Sequence, residues 1–111
     1  MTRISHVNLP VPVGRTAEVA DFYVTVLGFA IDPERGEQGR AGAWLDVGDG
    51  SQVHLSEREG AAHPDQHVAF DVDDFEGIHA RALAAGVEWR SRGDGRAVTR
   101  DPAGNLVELF A

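Results

Sequence analysis

Gly104-Asn105-Leu106-Val107-Glu108-Leu109, near the C-terminal end, repeats the pattern of Gly50-Ser51-Gln52-Val53-His54-Leu55 halfway along the chain. In both stretches a glycine leads into alternating polar and apolar residues. Such alternation puts Val53 and Leu55, or Val107 and Leu109, on one face of a strand and His54 or Glu108 on the other. The two stretches lie 54 residues apart, Leu27-Gly28-Phe29 matches Ala85-Gly86-Val87 at an offset of 58, and His6-Val7 matches His67-Val68 at 61. An offset that shrinks steadily is expected of a duplicated unit whose second copy has shorter loops.

Between these anchors each copy reads as strand, helix and three strands. In the first, Ile4–Leu9 alternates as a strand, and Val19, Phe22, Tyr23, Val26 and Leu27 recur at helical spacing. Thr16 is the expected N-cap and Gly28 the stop. Short strands are expected around Phe29–Ile31, Gly42–Val47 and Gln52–Ser56. In the second copy His67–Val72 is the strand, and Asp73, with Glu76 three residues on, forms a candidate capping box. Phe75, Ile78, Ala82 and Leu83 make the helix stripe, Gly86 ends it, and strands follow at Val87–Arg90, Arg96–Arg100 and Leu106–Phe110. The expected fold class is α+β, a single domain over residues 1–111. Module one spans about residues 3–56 and module two about 67–111, with 57–66 as connector and both helices on the convex side of a curved mixed sheet around a central cup.

Composition narrows the chemistry. A chain of 111 residues, 42% hydrophobic and 25% charged, can bury one modest core. With no cysteine there are no disulfides, thiolate sites or cysteine nucleophiles, which suits a reducing cytoplasm. All ten basic residues are arginine, so Schiff-base chemistry and lysine bases are excluded. A formal net charge of -8 argues against nucleic acid or anionic lipid as a partner. No apolar run approaches a membrane span, and Met1–His6 has no signal-like apolar core.

Four residues stand out jointly. His6, His54, His67 and Glu108 each oppose the apolar set of their strand, and they come from the first and last strand of each copy. Each alone reads as a hydrogen-bonded or solvated strand residue. Together, at duplicated positions on one inferred face, they form a candidate site for Zn, Ni, Co, Fe or Mn. His63, beside Pro64, reads as a loop residue and His79 as a half-buried helix residue. Trp44 falls either in the concavity or in the core. Leu106 and Phe110 share the Glu108 face and are candidate pocket walls for a substrate.

The His6-Val7-Asn8 opening, Phe22-Tyr23 with Leu27-Gly28-Phe29, the His67–Phe70 strand and the Asp101–Leu109 ending together resemble the vicinal oxygen chelate superfamily. That group includes glyoxalase-type isomerases, extradiol dioxygenases, fosfomycin-resistance transferases, methylmalonyl-CoA epimerases and bleomycin-binding proteins. The resemblance implies paired βαβββ modules around a metal cup, a homodimer, and a divalent metal held by His6, His67 and Glu108. At the place of His54, glyoxalase-type enzymes carry a carboxylate and epimerases a glutamine. Two departures matter: the lysines of fosfomycin transferases are missing, and so is one of the two glutamates of glyoxalase-type proton shuttling.

Two functions follow as expectations. In the first, a metal-dependent isomerase, lyase or thiol-addition enzyme binds a small oxygen-bearing substrate, with Glu108 acting as a catalytic base only by leaving the metal. In the second, a metal-free protein of the bleomycin-resistance type sequesters a small molecule between Trp44, Leu106 and Phe110. The acidic composition would then favour a cationic ligand.

Overall fold

The computed structural model describes residues 1–37, 39 and 41–111. Strands β1 (His6–Val11), β2 (Ala30–Ile31), β3 (Gly42–Asp46) and β4 (Gln52–Glu57) enclose helix α1 (Thr16–Thr25) in sequence. Strands β5 (His67–Asp71), β6 (Trp89–Ser91), β7 (Arg96–Arg100) and β8 (Leu106–Phe110) likewise enclose α2 (Phe75–Ala85). The α+β class and the two βαβββ modules are therefore as expected. The strands form two separate four-stranded sheets, ordered β1-β4-β3-β2 and β5-β8-β7-β6, rather than one continuous sheet. In each, the module's first strand runs parallel to its last, and the remaining pairs are antiparallel.

Apolar burial decides which way each sheet faces. Leu45, Val53 and Leu55 of the first sheet and Val107 and Leu109 of the second are almost fully buried, in one cluster with Val19, Phe22, Tyr23, Ile78 and Ala82 from the two helices. The modules are stitched through this core. Phe29 packs edge-on to Phe70 with ring centroids 5.2 Å apart, and Arg81 Nε donates to the Val26 carbonyl at 3.1 Å. Burying apolar side chains at roughly 25 cal/mol per Å² is the dominant stabilising term. It fixes the faces bearing His6 and His54, and His67 and Glu108, as those turned away from the shared core.

Several local expectations are corrected. Thr16 does not cap α1; Arg15 holds that position without a side-chain capping bond, while Thr16 Oγ1 donates to Glu57 Oε2 at 2.7 Å. Glu57 also accepts from the Gly14 N–H, and these bonds hold its carboxyl below the ordinary glutamate range. The cap of α2 is Asp74, not Asp73: its Oδ1 accepts from Gly77 N at 3.1 Å, and any side chain at Gly77 would collide with that carboxylate. Gly86 ends α2 as expected, at φ 70°. Leu83 lies outside the buried stripe and is 61% exposed. The strand expected at Val87–Arg90 is shifted to Trp89–Ser91, and β1 starts at His6 rather than Ile4.

Candidate metal centre

On the outer face of the second sheet, His67 Nε2 lies 3.5 Å from Glu108 Oε1. Pairing of β5 with β8 brings them together, since His67 is opposite Leu106 and Ala69 opposite Glu108. Each residue has a supporting partner. His67 Nδ1 is 3.0 Å from the Asp65 carbonyl, which can only accept, so the ring proton sits on Nδ1 and Nε2 keeps its lone pair. Glu108 is nearly buried, and its other oxygen accepts from Arg96 Nε and Nη2 at 2.9 and 2.8 Å. An imidazole oriented through its second nitrogen, beside a carboxylate oxygen turned toward it, is the usual arrangement of metal ligands. Two ligands that each sit about 2.0–2.2 Å from one ion are about 3–3.5 Å apart, so this donor pair fits a divalent ion.

The other pair lies on the outer face of the first sheet. The His6 and His54 rings are stacked with centroids 3.8 Å apart, and Trp44 stacks on the far side of His54 at 4.9 Å. Register puts Trp44 directly opposite His54, while His6, opposite Gln52, reaches the His54 ring diagonally from β1. Trp44 thus belongs to the outward face and not to the core. Gln52 fixes the His54 tautomer. Its amide nitrogen donates to Asp32 Oδ2 and Asp46 Oδ1 at 2.8 and 2.7 Å, so its oxygen faces His54 Nε2 at 2.8 Å and receives that N–H. His54 Nδ1 is left with the lone pair. Partial burial, the nearby His6 and Arg35 hold the His54 pKa below the ordinary value against the opposing pull of Asp32, so the ring favours its neutral form.

The two pairs are not joined within the chain. Among the described residues no group of three or more His, Asp or Glu side chains is close enough to hold a metal ion. Leu106 and Phe110 lie on the Glu108 face as expected, and Arg96 also sits 5.5 Å above the Phe110 ring. His63 is a loop residue whose Nδ1 accepts from Asp65 N and Gln66 N, and His79 stacks on Trp89 at 4.4 Å. Gln52, Asp32 and Arg96 were not singled out in the sequence. The alternation of Arg96, Val98 and Arg100 is the signal that could have found the last.

The sequence profile of the Glyoxalase/Bleomycin resistance protein/Dioxygenase superfamily matches residues 3–109. The chain belongs to that superfamily. A glyoxalase family protein of Bacillus anthracis superposes with a TM-score of 0.80 at 24% identity, covering 98% of this chain and 93% of the other. The oxidase ChaP-H2 gives a TM-score of 0.80 at 24% identity, over 100% and 94%. The fosfomycin resistance protein FosX of Listeria monocytogenes, in a glutamate-to-glutamine mutant with Mn(II) and 1S,2S-dihydroxypropylphosphonic acid, gives 0.80 at 19% identity over 100% and 92%. At such identities these likenesses establish the shared fold. A comparison with curated proteins finds none that matches. Among the described residues no helix is long and apolar enough to cross a membrane.

Proposed function

We propose that the protein is a metal-dependent enzyme of its superfamily, acting on a small oxygen-bearing substrate by isomerase, lyase or thiol-addition chemistry. The observation that carries this reading is the oriented pair of His67 Nε2 and Glu108 Oε1 at 3.5 Å. The Mn(II) in FosX supports a divalent ion in this fold. His6, His67 and Glu108 are the proposed ligands, with His54 as a fourth. A bound divalent ion would supply Lewis-acid stabilisation of negative charge on the substrate oxygens. Arg96 holds Glu108 in orientation through its Oε2, His54 presents a neutral ring, and Trp44, Leu106 and Phe110 wall the space against water. A cysteine-free chain of this kind suits a reducing cytoplasm.

Because the two pairs sit on different sheets, each facing away from the common core, we infer that a homodimer completes the site. His6 and His54 of one copy would meet His67 and Glu108 of a second, giving two equivalent sites related by the twofold axis. Co-expression of His6→Ala and Glu108→Ala chains under two affinity tags tests this. In a shared-site dimer one site loses both ligands and the other keeps all four. The isolated heterodimer should then carry about half the wild-type metal, while each parent homodimer carries almost none. A heterodimer as empty as its parents overturns the sharing. A wild-type protein that takes up no stoichiometric metal yet binds a drug overturns the enzyme reading in favour of sequestration.

A further inference from the structure

The outer face of the second sheet is unusually rich in arginine for a chain of net charge -8. Register sets the rows: Arg90 is opposite Val98, and Val98 opposite Glu108; Arg96 is opposite Phe110 and Arg100 opposite Leu106. Arg92 continues the same alternation, its N–H bonded to the Arg96 carbonyl. Four of the ten arginines therefore share the face that carries His67 and Glu108. Two of them are engaged. Arg96 holds Glu108, and Arg100 donates to the Gly104 and Pro64 carbonyls at 3.0 and 3.3 Å and pairs with Glu88 at 3.5 Å. The guanidinium groups of Arg90 and Arg92 are exposed and have no hydrogen-bond or ion-pair partner among the described residues.

We propose that Arg90 and Arg92 form an anion subsite that takes a carboxylate or phosphoryl group of a small substrate, beside the oxygens to be activated at His67 and Glu108. This deepens the enzyme reading, on which it rests for the choice of face. Guanidinium forks bind planar or tetrahedral oxyanions through paired charge-assisted hydrogen bonds. Arg90 stands two strands from Glu108, about 10 Å at the usual strand spacing, so one small molecule can span both groups. The cationic ligand suggested by overall composition is disfavoured on this face. Charges on β6 would also arise merely to guard an edge strand against pairing, but a guard has no reason to bind a free oxyanion.

Arginine Nε–H resonances of the metal-free protein, titrated with inorganic phosphate and separately with acetate at constant ionic strength in chloride, test the subsite. The Arg90 and Arg92 signals should move saturably with one or both probes, while those of Arg15 and Arg81 on other surfaces stay still. A phosphate-only response points to a phosphoryl group and an acetate-only response to a carboxylate. In an Arg90→Gln, Arg92→Gln protein the affinity should fall about tenfold or more. No movement beyond the chloride control, equal movement of every exposed arginine, or movement on dilution alone overturns the subsite. The titration needs no metal, so its failure leaves the metal reading standing, and a failed metal titration leaves this result intact.

Discussion

The Tyr23 hydroxyl donates to Asp101 Oδ2 at 2.7 Å, joining the helix of the first module to the last turn of the second. Asp101 is 3% exposed and accepts three more hydrogen bonds, from Asn105 Nδ2 and from the backbone N–H groups of Ala103 and Asn105. Asn105 in turn donates to the Pro10 carbonyl at the end of β1. A buried carboxylate is tolerated because four donors replace its water.

Tyr23→Phe removes one of those donors and leaves Asp101 with the rest. The expected loss is about 1.5–3 kcal/mol, a fall of about 6–13 °C in Tm for a chain of this size. Asp101→Ala strands several buried donors at once and should cost about 3–6 kcal/mol, enough to unfold much of the population. Thermal melts of the two variants decide; equal and small losses would mean that the network does not couple the modules.

Burial, and the negative Asp101 beside it, push the Tyr23 phenol well above its ordinary pKa. A raised folded-state pKa stabilises the protein fully below the unfolded value of about 10, and that contribution is lost as pH climbs through the folded value. The chain has no lysine, no cysteine and a single tyrosine, so no other phenol, thiol or side-chain amine contributes there. Tyrosinate absorbance should therefore appear together with loss of circular dichroism, above pH ~10. Tyrosinate forming near pH ~10 in a still-folded protein would contradict this.

Asp74 caps α2 while Asp73 is exposed with no bond to the helix end. Asp74→Ala should cost about 0.5–2 kcal/mol in chemical denaturation, and Asp73→Ala no more than about 0.5. The reverse ranking would restore the capping box expected from Asp73 and Glu76.

That pair shows where the sequence stopped being informative. Asp73 and Asp74 have the same capping chemistry, and only packing of Phe75 and Ile78 onto the sheet selects between them. The strand faces were legible because alternation is local: Val53 and Leu55 oppose His54 whatever else happens. How the two sheets sit was not, because it depends on apolar faces meeting across the core, where Phe29 reaches Phe70. A net charge averages over the surface, so -8 concealed a face lined by Arg90, Arg92, Arg96 and Arg100.

The metal ligands carry the last prediction. His67 has its Nδ1 proton committed to a backbone carbonyl and its lone pair turned to Glu108, whereas His54 is stacked between His6 and Trp44 with Nε2 committed to Gln52. His67→Ala should therefore abolish most metal affinity, and His54→Ala should weaken it less. Glu108→Gln should act like His67→Ala, because the neutral amide loses the charge that partly cancels the ion's. Calorimetric titration of wild type and variants with Zn, Ni, Co and Mn measures this. Imidazole must be neutral to coordinate, so affinity should fall as pH drops through the ordinary histidine range near ~6.5. Partial burial holds the His54 pKa below its ordinary value, which favours the neutral ring that coordination needs. A His67→Ala protein that binds metal as tightly as wild type would show that the ion is held elsewhere.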